Sequence, residues 1–364
     1  MNNSDYEQFE RTKALDMNDL LSFMKENNAS DLHLIPGRKP LLRIHGVLKD
    51  LVFDVLNSDI IKASCYSILS DYQKANFEEE KELDFAYAVE GVGRFRANYY
   101  YVEEGKLAAA FRLIPEVIPS LDDLKSPPIF KELIKKEKGL ILVTGPTGSG
   151  KSTTLAAMLN EINMTESKHI LTIEHPVEFM HVNKKSVFSY RNVDVDTKSF
   201  QSALKYALRQ DPDIILIGEM RDRETMEAAI TAAETGHLVF GTLHTNSAMQ
   251  TINRIVDSFS GAEQEQVRNM LSFSLQAVIA QALVPKQGGG RVAIHEIMIN
   301  NLAIANLIRE NKNHQIYSQM QLNQQGTGMR TQTQSLVDAV KRGIISRDNA
   351  LRYSTQYSEL VNLI

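Results

Sequence analysis

The chain has 364 residues, of which 43% are hydrophobic and 23% charged, and its formal net charge is -5. This balance is that of a soluble globular protein with room for two domains; it excludes a disordered or fibrous chain, and the negative charge argues against a nucleic-acid partner. The single cysteine, Cys65, excludes an intramolecular disulfide, and because the N-terminus is polar and no apolar run approaches ~20 residues, we expect a cytoplasmic protein without a membrane span.

The first part of the chain, residues 1–116, predicts a small α+β domain. Leu20, Leu21 and Met24 share one face of a helix, and the run 41–46 has the composition of a short strand. Residues 117–130 contain several prolines, which disfavour helix in the residue before them. We therefore interpret 117–130 as an interdomain linker.

The second part predicts an α/β domain over residues 131–300. The runs at 139–144, 169–173, 213–217 and 238–243 are continuously apolar and alternate with helical patterns. Strands that are buried on both faces have this composition, so a mainly parallel sheet flanked by helices is expected. Residues 301–364 are more polar and helical, with one flexible connection at 323–328.

A phosphate-binding loop follows the first of these buried strands. It is formed by Gly145, Pro146, Thr147, Gly148, Ser149, Gly150, Lys151 and Ser152, and Thr153 opens the helix behind it. Every position fits the P-loop pattern, and a buried strand followed by a helix is the context that the motif requires. We expect backbone N–H groups to surround the phosphates of ATP, Lys151 to reach the β- and γ-phosphates, and Ser152 to bind Mg²⁺.

Carboxylates follow two other predicted strands. Glu219 comes just after the strand at 213–217, where it is a candidate for the second Mg²⁺ ligand, partly through water. The strand at 169–173 is followed by Glu174 and Glu178, either of which could orient an attacking water.

Several segments together resemble the PilT-type pilus-retraction ATPases of the type II/type IV secretion and pilus ATPase superfamily. These segments are the P-loop, the signature over 208–222, an aspartate-box-like stretch at 172–178, a histidine-box-like stretch at 237–245 and the opening motif at 29–34. The resemblance covers nearly the whole chain. It implies a RecA-like P-loop core preceded by a PAS-like α+β domain and followed by a helical C-terminal region.

The resemblance also implies residue roles. Glu178 matches the catalytic glutamate and Glu219 the Walker-B glutamate, while His237, ahead of His244, matches the phosphate sensor. Arg96 and Arg112 match positions where the family supplies arginines to nucleotide sites, often across a subunit boundary, and Arg94 ranks below them. Such arginines stabilise charge on a transferred phosphoryl group.

By the same resemblance, the expected assembly is a homohexamer at the inner face of the bacterial inner membrane. There it would drive pilus retraction and twitching motility through the platform protein of the pilus machine, with a paralogous retraction ATPase as a further possible partner. Two departures from the family pattern leave an alternative open: His175 replaces an aspartate and Ala305 replaces an arginine. The alternative is a PilU-like accessory ATPase or a poorly hydrolysing ring subunit.

Two other classes are disfavoured by the sequence. The pilus-assembly and secretion ATPases carry a four-cysteine metal element, which one cysteine cannot build. A RecA-like DNA motor would need a basic tract or stacking aromatics, whereas this chain is acidic and has no tryptophan.

Overall fold

A computed structural model describes residues 15–44, 46–115, 117–322 and 326–364. His45, which is part of the predicted strand run at 41–46, lies outside the described residues, and so do residues 323–325 of the predicted flexible connection. The chain divides into two compact units. The first runs to Val117 and includes Glu178–Met180, and the second contains Ile118–Val177 and His181–Ile364.

The first unit is an antiparallel sheet covered by helices. Its strands are β1 (Ala29–Leu34), β2 (Leu41–Ile44), β3 (Val47–Asp50), β4 (Glu82–Val89), β5 (Gly93–Val102) and β6 (Lys106–Ile114). Its helices are α1 (Met17–Glu26), α2 (Ser58–Ser67) and α3 (Asp71–Glu80). The strand order is β3-β2-β1-β6-β5-β4 with every pair antiparallel. Leu20, Leu21 and Met24 of α1 are buried in its core, which confirms the predicted apolar helix face.

The second unit is built on a sheet with the order β13-β12-β7-β11-β10-β8-β9. Its strands are β7 (Gly139–Thr144), β8 (His169–Glu174), β9 (Val187–Asn192), β10 (Ile214–Ile217), β11 (Leu238–Leu243), β12 (Leu275–Pro285) and β13 (Arg291–Ile299). Only the pair β12–β13 is antiparallel among the strand pairs of this sheet in the described residues. The mainly parallel α/β sheet and its four predicted strands are thus confirmed.

Helices cover both faces of this sheet. They are α4 (Ile129–Leu133), α5 (Lys151–Thr165), α6 (Phe200–Ala207), α7 (Arg223–Glu234), α8 (Ala248–Asp257) and α9 (Gln264–Ser274). One buried cluster packs α6, α7, α8 and α9 against one face, and a second packs α4 and α5 against the other. Because helices enclose the sheet on both sides, β7 and β11 are buried at every position, and this explains their predominantly apolar sequences.

Helices also dominate the C-terminal part of the second unit. They are α10 (Leu302–Arg309), α11 (Ile316–Leu322), α12 (Gln332–Lys341), α13 (Arg347–Tyr353) and α14 (Tyr357–Val361), with a 3₁₀ turn at Asn313–Gln315. Leu336, Ala350 and Leu360 of this region pack with Val284 and Ile294 of the β12–β13 hairpin. No helix in the described ranges combines the length and apolar character needed to cross a membrane.

Candidate nucleotide-binding site

The P-loop joins the carboxyl end of β7 to the start of α5. Gly145, Gly148 and Gly150 have φ angles of 142°, 77° and 87°. These values lie in the region that L-residues avoid, so glycine permits the tight path of the loop. Because α5 begins at Lys151, directly after the loop, the N–H groups of its first turn and the positive end of its dipole face the loop. The arrangement is an anion-binding cradle suited to phosphates.

Lys151 is the first residue of α5. Its Nζ donates to the carbonyls of Gly145 at 2.8 Å and Pro146 at 3.1 Å. The ammonium group is therefore held against the loop. To reach a phosphate, it would have to leave these two carbonyls. Ser152 and Thr153 follow in the same turn and are both half-buried.

The parallel strands bring further polar residues to the edge where the P-loop lies. Gly145 donates its N–H to the carbonyl of Leu243, the last residue of β11, at 3.3 Å. His244 follows directly, and its Nε2 is 3.0 Å from Oε1 of Glu219, which lies just past β10. Arg221 Nε contacts the same oxygen at 2.6 Å. The sequence signature contains Arg221 but did not assign it a role.

The Glu219 carboxyl has a pKa below its usual value. Partial burial alone would raise this pKa, but the hydrogen bond and charge of Arg221, with the charges of His244 and Lys151, outweigh burial. Glu219 is therefore ionised at neutral pH. An ionised carboxylate and the Ser152 hydroxyl are hard oxygen donors, the kind that Mg²⁺ binds beside nucleotide phosphates, so these residues fit the ion.

The two histidine-box residues lie at opposite ends of β11. Leu238 pairs with Gly139 and Leu243 with Thr144, so β7 and β11 run in register. His237 accepts the Gly139 N–H through its carbonyl at 3.0 Å, at the end away from the P-loop, and its ring Nδ1 meets the Ala232 carbonyl at 3.0 Å. His244 therefore shares an edge with the P-loop and His237 does not, and the sensor role predicted for His237 stays a prediction.

The aspartate-box-like stretch is divided between the two units. Glu174 ends β8 and is buried in the second unit, where Gly218 packs against it. His175, the departure from the family pattern, has its Nε2 3.0 Å from Oδ2 of Asp194. Glu178 instead groups with the first unit, where its Oε1 is 3.8 Å from a terminal nitrogen of Arg96.

Arg96 and Arg112 are direct cross-strand partners on β5 and β6. Like charges placed opposite each other destabilise a sheet. Each guanidinium is balanced by an aspartate, since Arg96 lies 2.8 Å from Asp84 and Arg112 lies 2.8 Å from the buried Asp31. The Arg112 side chain is 67% exposed and that of Arg96 is 38% exposed, so both ion-paired guanidinium groups are accessible at the surface.

The described part of the chain also contains a functional candidate that the motifs did not indicate. Gln281 of β12 lies directly beneath the P-loop and donates to the carbonyl of Ser149 at 2.6 Å. A polar side chain inside the apolar run 277–284 was the available signal, because a buried amide must find hydrogen-bond partners.

The family model described as "Type II/IV secretion system protein" matches residues 120–352. The chain belongs to this family. Among curated relatives of this secretion-ATPase family, the type IV pilus retraction ATPase PilT of Pseudomonas aeruginosa is 51% identical over 336 residues, which cover 92% of this chain and 97% of the relative. PilU of the same organism is 37% identical and covers 94% of this chain and 89% of that relative.

Solved structures give the same assignment. A crystal structure of the pilus retraction motor PilT with bound ADP superposes with a TM-score of 0.87 at 49% identity, covering 96% of this chain and 99% of that one. The α/β fold, the membership of the PilT-type branch and the ATPase class expected from the sequence are confirmed. Nucleotide binding follows from the family.

Proposed function

We propose that this chain is a homohexameric motor ATPase that hydrolyses ATP to power the retraction of type IV pili. The observation that carries the proposal is a complete P-loop whose sheet edge also holds the ionised Glu219 and His244. This supports ATP chemistry, and the 51% identity to PilT over 92% of the chain supports retraction as its purpose.

ATP binding depends on the P-loop and the first turn of α5. The N–H groups of Gly148 to Ser152 surround the β- and γ-phosphates, and Lys151 exchanges its loop carbonyls for phosphate oxygens. Ser152 and Glu219 would hold Mg²⁺, with Glu219 acting partly through water, and the ion would supply positive charge beside the phosphates.

Hydrolysis needs a base and a way to stabilise charge. Glu178 accepts a proton from the water that attacks the γ-phosphorus, while the bond to the β-phosphate oxygen breaks and ADP leaves with the electron pair. Arg96 and Arg112 stabilise the transferred group, with at least one of them acting on the site of a neighbouring subunit. Arg94 ranks below both as a further arginine.

His244 is proposed as the residue that senses the γ-phosphate. It contacts Glu219 and follows Leu243, whose carbonyl accepts the P-loop N–H of Gly145, so loss of the phosphate changes the surroundings of His244 directly. His237 could act only from the other end of β11. Interactions that form with the γ-phosphate of ATP and break after hydrolysis would move one domain relative to the other.

We further propose that the hexamer works at the cytoplasmic face of the inner membrane. It would pass its motion to the platform protein of the pilus machine, alone or with a paralogous retraction ATPase. Membrane association in this proposal comes from the partner.

The first test is Mg²⁺-dependent phosphate release by the purified chain. Wild type should turn over, whereas Lys151→Ala and Glu178→Gln should fall to background. Glu137→Gln is a suitable control, because Glu137 is 82% exposed just before the amino end of β7 and should leave turnover unchanged. ATP binding by wild type without phosphate release above the two variants would reject the motor function.

The second candidate is a PilU-like accessory subunit or a poorly hydrolysing ring subunit. His175 and Ala305 favour it, since His175 pairs with Asp194 and Ala305 is buried in α10 where the family has an arginine. The greater identity to PilT than to PilU, 51% against 37%, favours the motor. The substitutions Ala305→Arg and His175→Asp, which introduce the family's residues, distinguish the motor from the accessory subunit. A gain in turnover of about tenfold or more would support the accessory function.

A further inference from the structure

Gln281 is a buried polar residue in the middle of the apolar strand β12. The residue is 4% exposed, and β12 lies beside β7 with Ala280 paired to Thr144, the last residue before the P-loop. Gln281 therefore occupies the position directly beneath the loop. A buried amide at such a place costs free energy unless its hydrogen bonds are satisfied.

Its carboxamide is bonded on both sides. Nε2 donates to the Ser149 carbonyl at 2.6 Å, while Oε1 accepts from the Thr154 hydroxyl at 2.8 Å and lies 3.1 Å from Nε2 of His295. The orientation of the amide is fixed by chemistry, because a carbonyl oxygen accepts and does not donate. One side chain thus joins the P-loop, the first turn of α5 and β13.

Two glycines of the P-loop permit this close approach. A Cβ on Gly150 would lie 2.9 Å from Nε2 of Gln281, and a Cβ on Gly145 would lie 2.2 Å from the backbone oxygen of Gln281. The loop therefore rests on β12 at both of its ends. This contact gives Gly145 and Gly150 a packing role in addition to their backbone conformation.

His295 holds the other side of the amide. It is paired with Gln281 across the β12–β13 ladder, and its ring meets Phe130 edge-on at 5.3 Å. Burial lowers the pKa of His295 to about 4, so the ring is neutral; because Oε1 of Gln281 can only accept, the tautomer with its hydrogen on Nε2 completes this hydrogen bond. The backbone carbonyl of His295 accepts from the Ser335 hydroxyl of α12 at 2.6 Å, so the C-terminal helices are tied to the same strand.

We infer that Gln281 is a positioning residue for nucleotide binding, whose carboxamide fixes the Ser149 carbonyl and the first turn of α5 so that the P-loop N–H groups point at the phosphates. The inference rests on the proposed binding of ATP at this loop. Gln281 does not touch the nucleotide; it acts through the loop. Because the loop holds phosphate before and during hydrolysis, losing the amide weakens binding more than turnover.

The test compares Gln281→Met, which preserves side-chain length and removes the hydrogen bonds, with wild type. The measurements are the affinity for ADP, the KM for ATP, kcat and the thermal unfolding midpoint. Gln276→Met is the matched control, since Gln276 lies on the same strand beside Gly139, at the end away from the P-loop. Thr154→Val removes one of the bonds to the amide without altering β12, and it decides the question if Gln281→Met does not fold.

The inference predicts that Gln281→Met weakens ADP binding and raises KM about tenfold, with kcat changed less than about threefold. Thr154→Val should weaken ADP binding about threefold, and Gln276→Met should match wild type. A lower unfolding midpoint with unchanged ADP affinity and KM in both Gln281→Met and Thr154→Val would overturn the inference, because it would show a structural role only. Wild type that binds no ADP would overturn the proposed function together with the inference.

Discussion

Replacing Gly145 by alanine tests how tightly the P-loop is packed on the sheet. The new Cβ would lie 2.2 Å from the backbone oxygen of Gln281 and 2.7 Å from Oγ of Ser149, at a φ of 142°. A backbone oxygen in a central strand cannot rotate away as the end of a flexible side chain does. The substitution therefore requires β7 and β12 to separate or the loop to change its path.

The size of the effect follows from two costs. A non-glycine residue in such a conformation costs about 1–3 kcal/mol, and overpacking in a core adds about 1–3 kcal/mol. Gly148 has a φ of 77° but nothing within 4 Å of an added Cβ, so Gly148→Ala should cost only about 1–2 kcal/mol. Gly288→Ala is the matched control, because Gly288 has a φ of 82° and equally open surroundings in the β12–β13 turn.

The assay is thermal unfolding of the nucleotide-free protein, followed by ADP binding. We expect Gly145→Ala to lower the unfolding midpoint at least twice as far as Gly148→Ala and Gly288→Ala, which should resemble each other. ADP binding should be weakened in Gly145→Ala and Gly148→Ala and kept in Gly288→Ala. A midpoint for Gly145→Ala equal to that of Gly148→Ala would refute the packing of the loop against β12.

Other predictions follow from buried groups. Asp31→Asn should destabilise the first unit by about 1–3 kcal/mol and lower phosphate release, because the buried carboxylate orients Arg112. Asp50→Asn is the control: Asp50 pairs with Arg38 in a largely exposed ion pair, so this change should alter stability by less than about 0.5 kcal/mol. Equal effects of the two substitutions in thermal unfolding would contradict the prediction. Burial raises the pKa of Cys65 to about 12, so a thiol reagent at pH 8 should label it only after unfolding, and rapid labelling of the native protein would be the contrary result. Burial lowers the pKa of His181 to about 4, so below about pH 6.5 the unfolded chain binds a proton that the native state does not, and stability should fall as pH falls from 6.5 towards 4. His181→Phe, which keeps the stack on Phe188, should make that part of the stability curve less steep in denaturant unfolding, while His295, whose pKa burial also lowers to about 4, keeps part of the slope; an unchanged slope would count against the prediction.

The sequence predicts those parts of the fold whose cause is local. The buried strands β7, β8, β10 and β11 are predominantly apolar, and the P-loop needs glycines at fixed spacing, so both are visible in short windows. The β12–β13 hairpin was not predicted. β12 begins directly after α9 without a turn residue, and its apolar run is interrupted by Gln281. The hydrogen bond of Gln281 to Ser149 explains this polar residue, and Ser149 belongs to the P-loop, which is far away in sequence.

In the candidate site, too, features with a local cause were predicted, whereas contacts between residues far apart in sequence were not. Glu219 was predicted from its place just after a strand, and parallel strands bring their carboxyl ends to one edge. The preference for His237 came from resemblance alone, whereas counting along β11 would have shown that His237 and His244 must lie at opposite ends. The contacts of Arg112 with Asp31 and of Arg96 with Glu178 depend on long-range packing, which no local pattern encodes. The roles of these residues and the predicted domain boundaries stay predictions.

The proposal that ATP hydrolysis by this chain retracts pili is tested in cells that assemble type IV pili but lack their own retraction ATPases. Labelled pili would be followed individually while the chain or its Lys151→Ala variant is expressed at equal levels. We predict that wild type restores retraction and that Lys151→Ala does not. Pili that never retract, with wild-type protein that releases phosphate normally in vitro, would contradict the proposal.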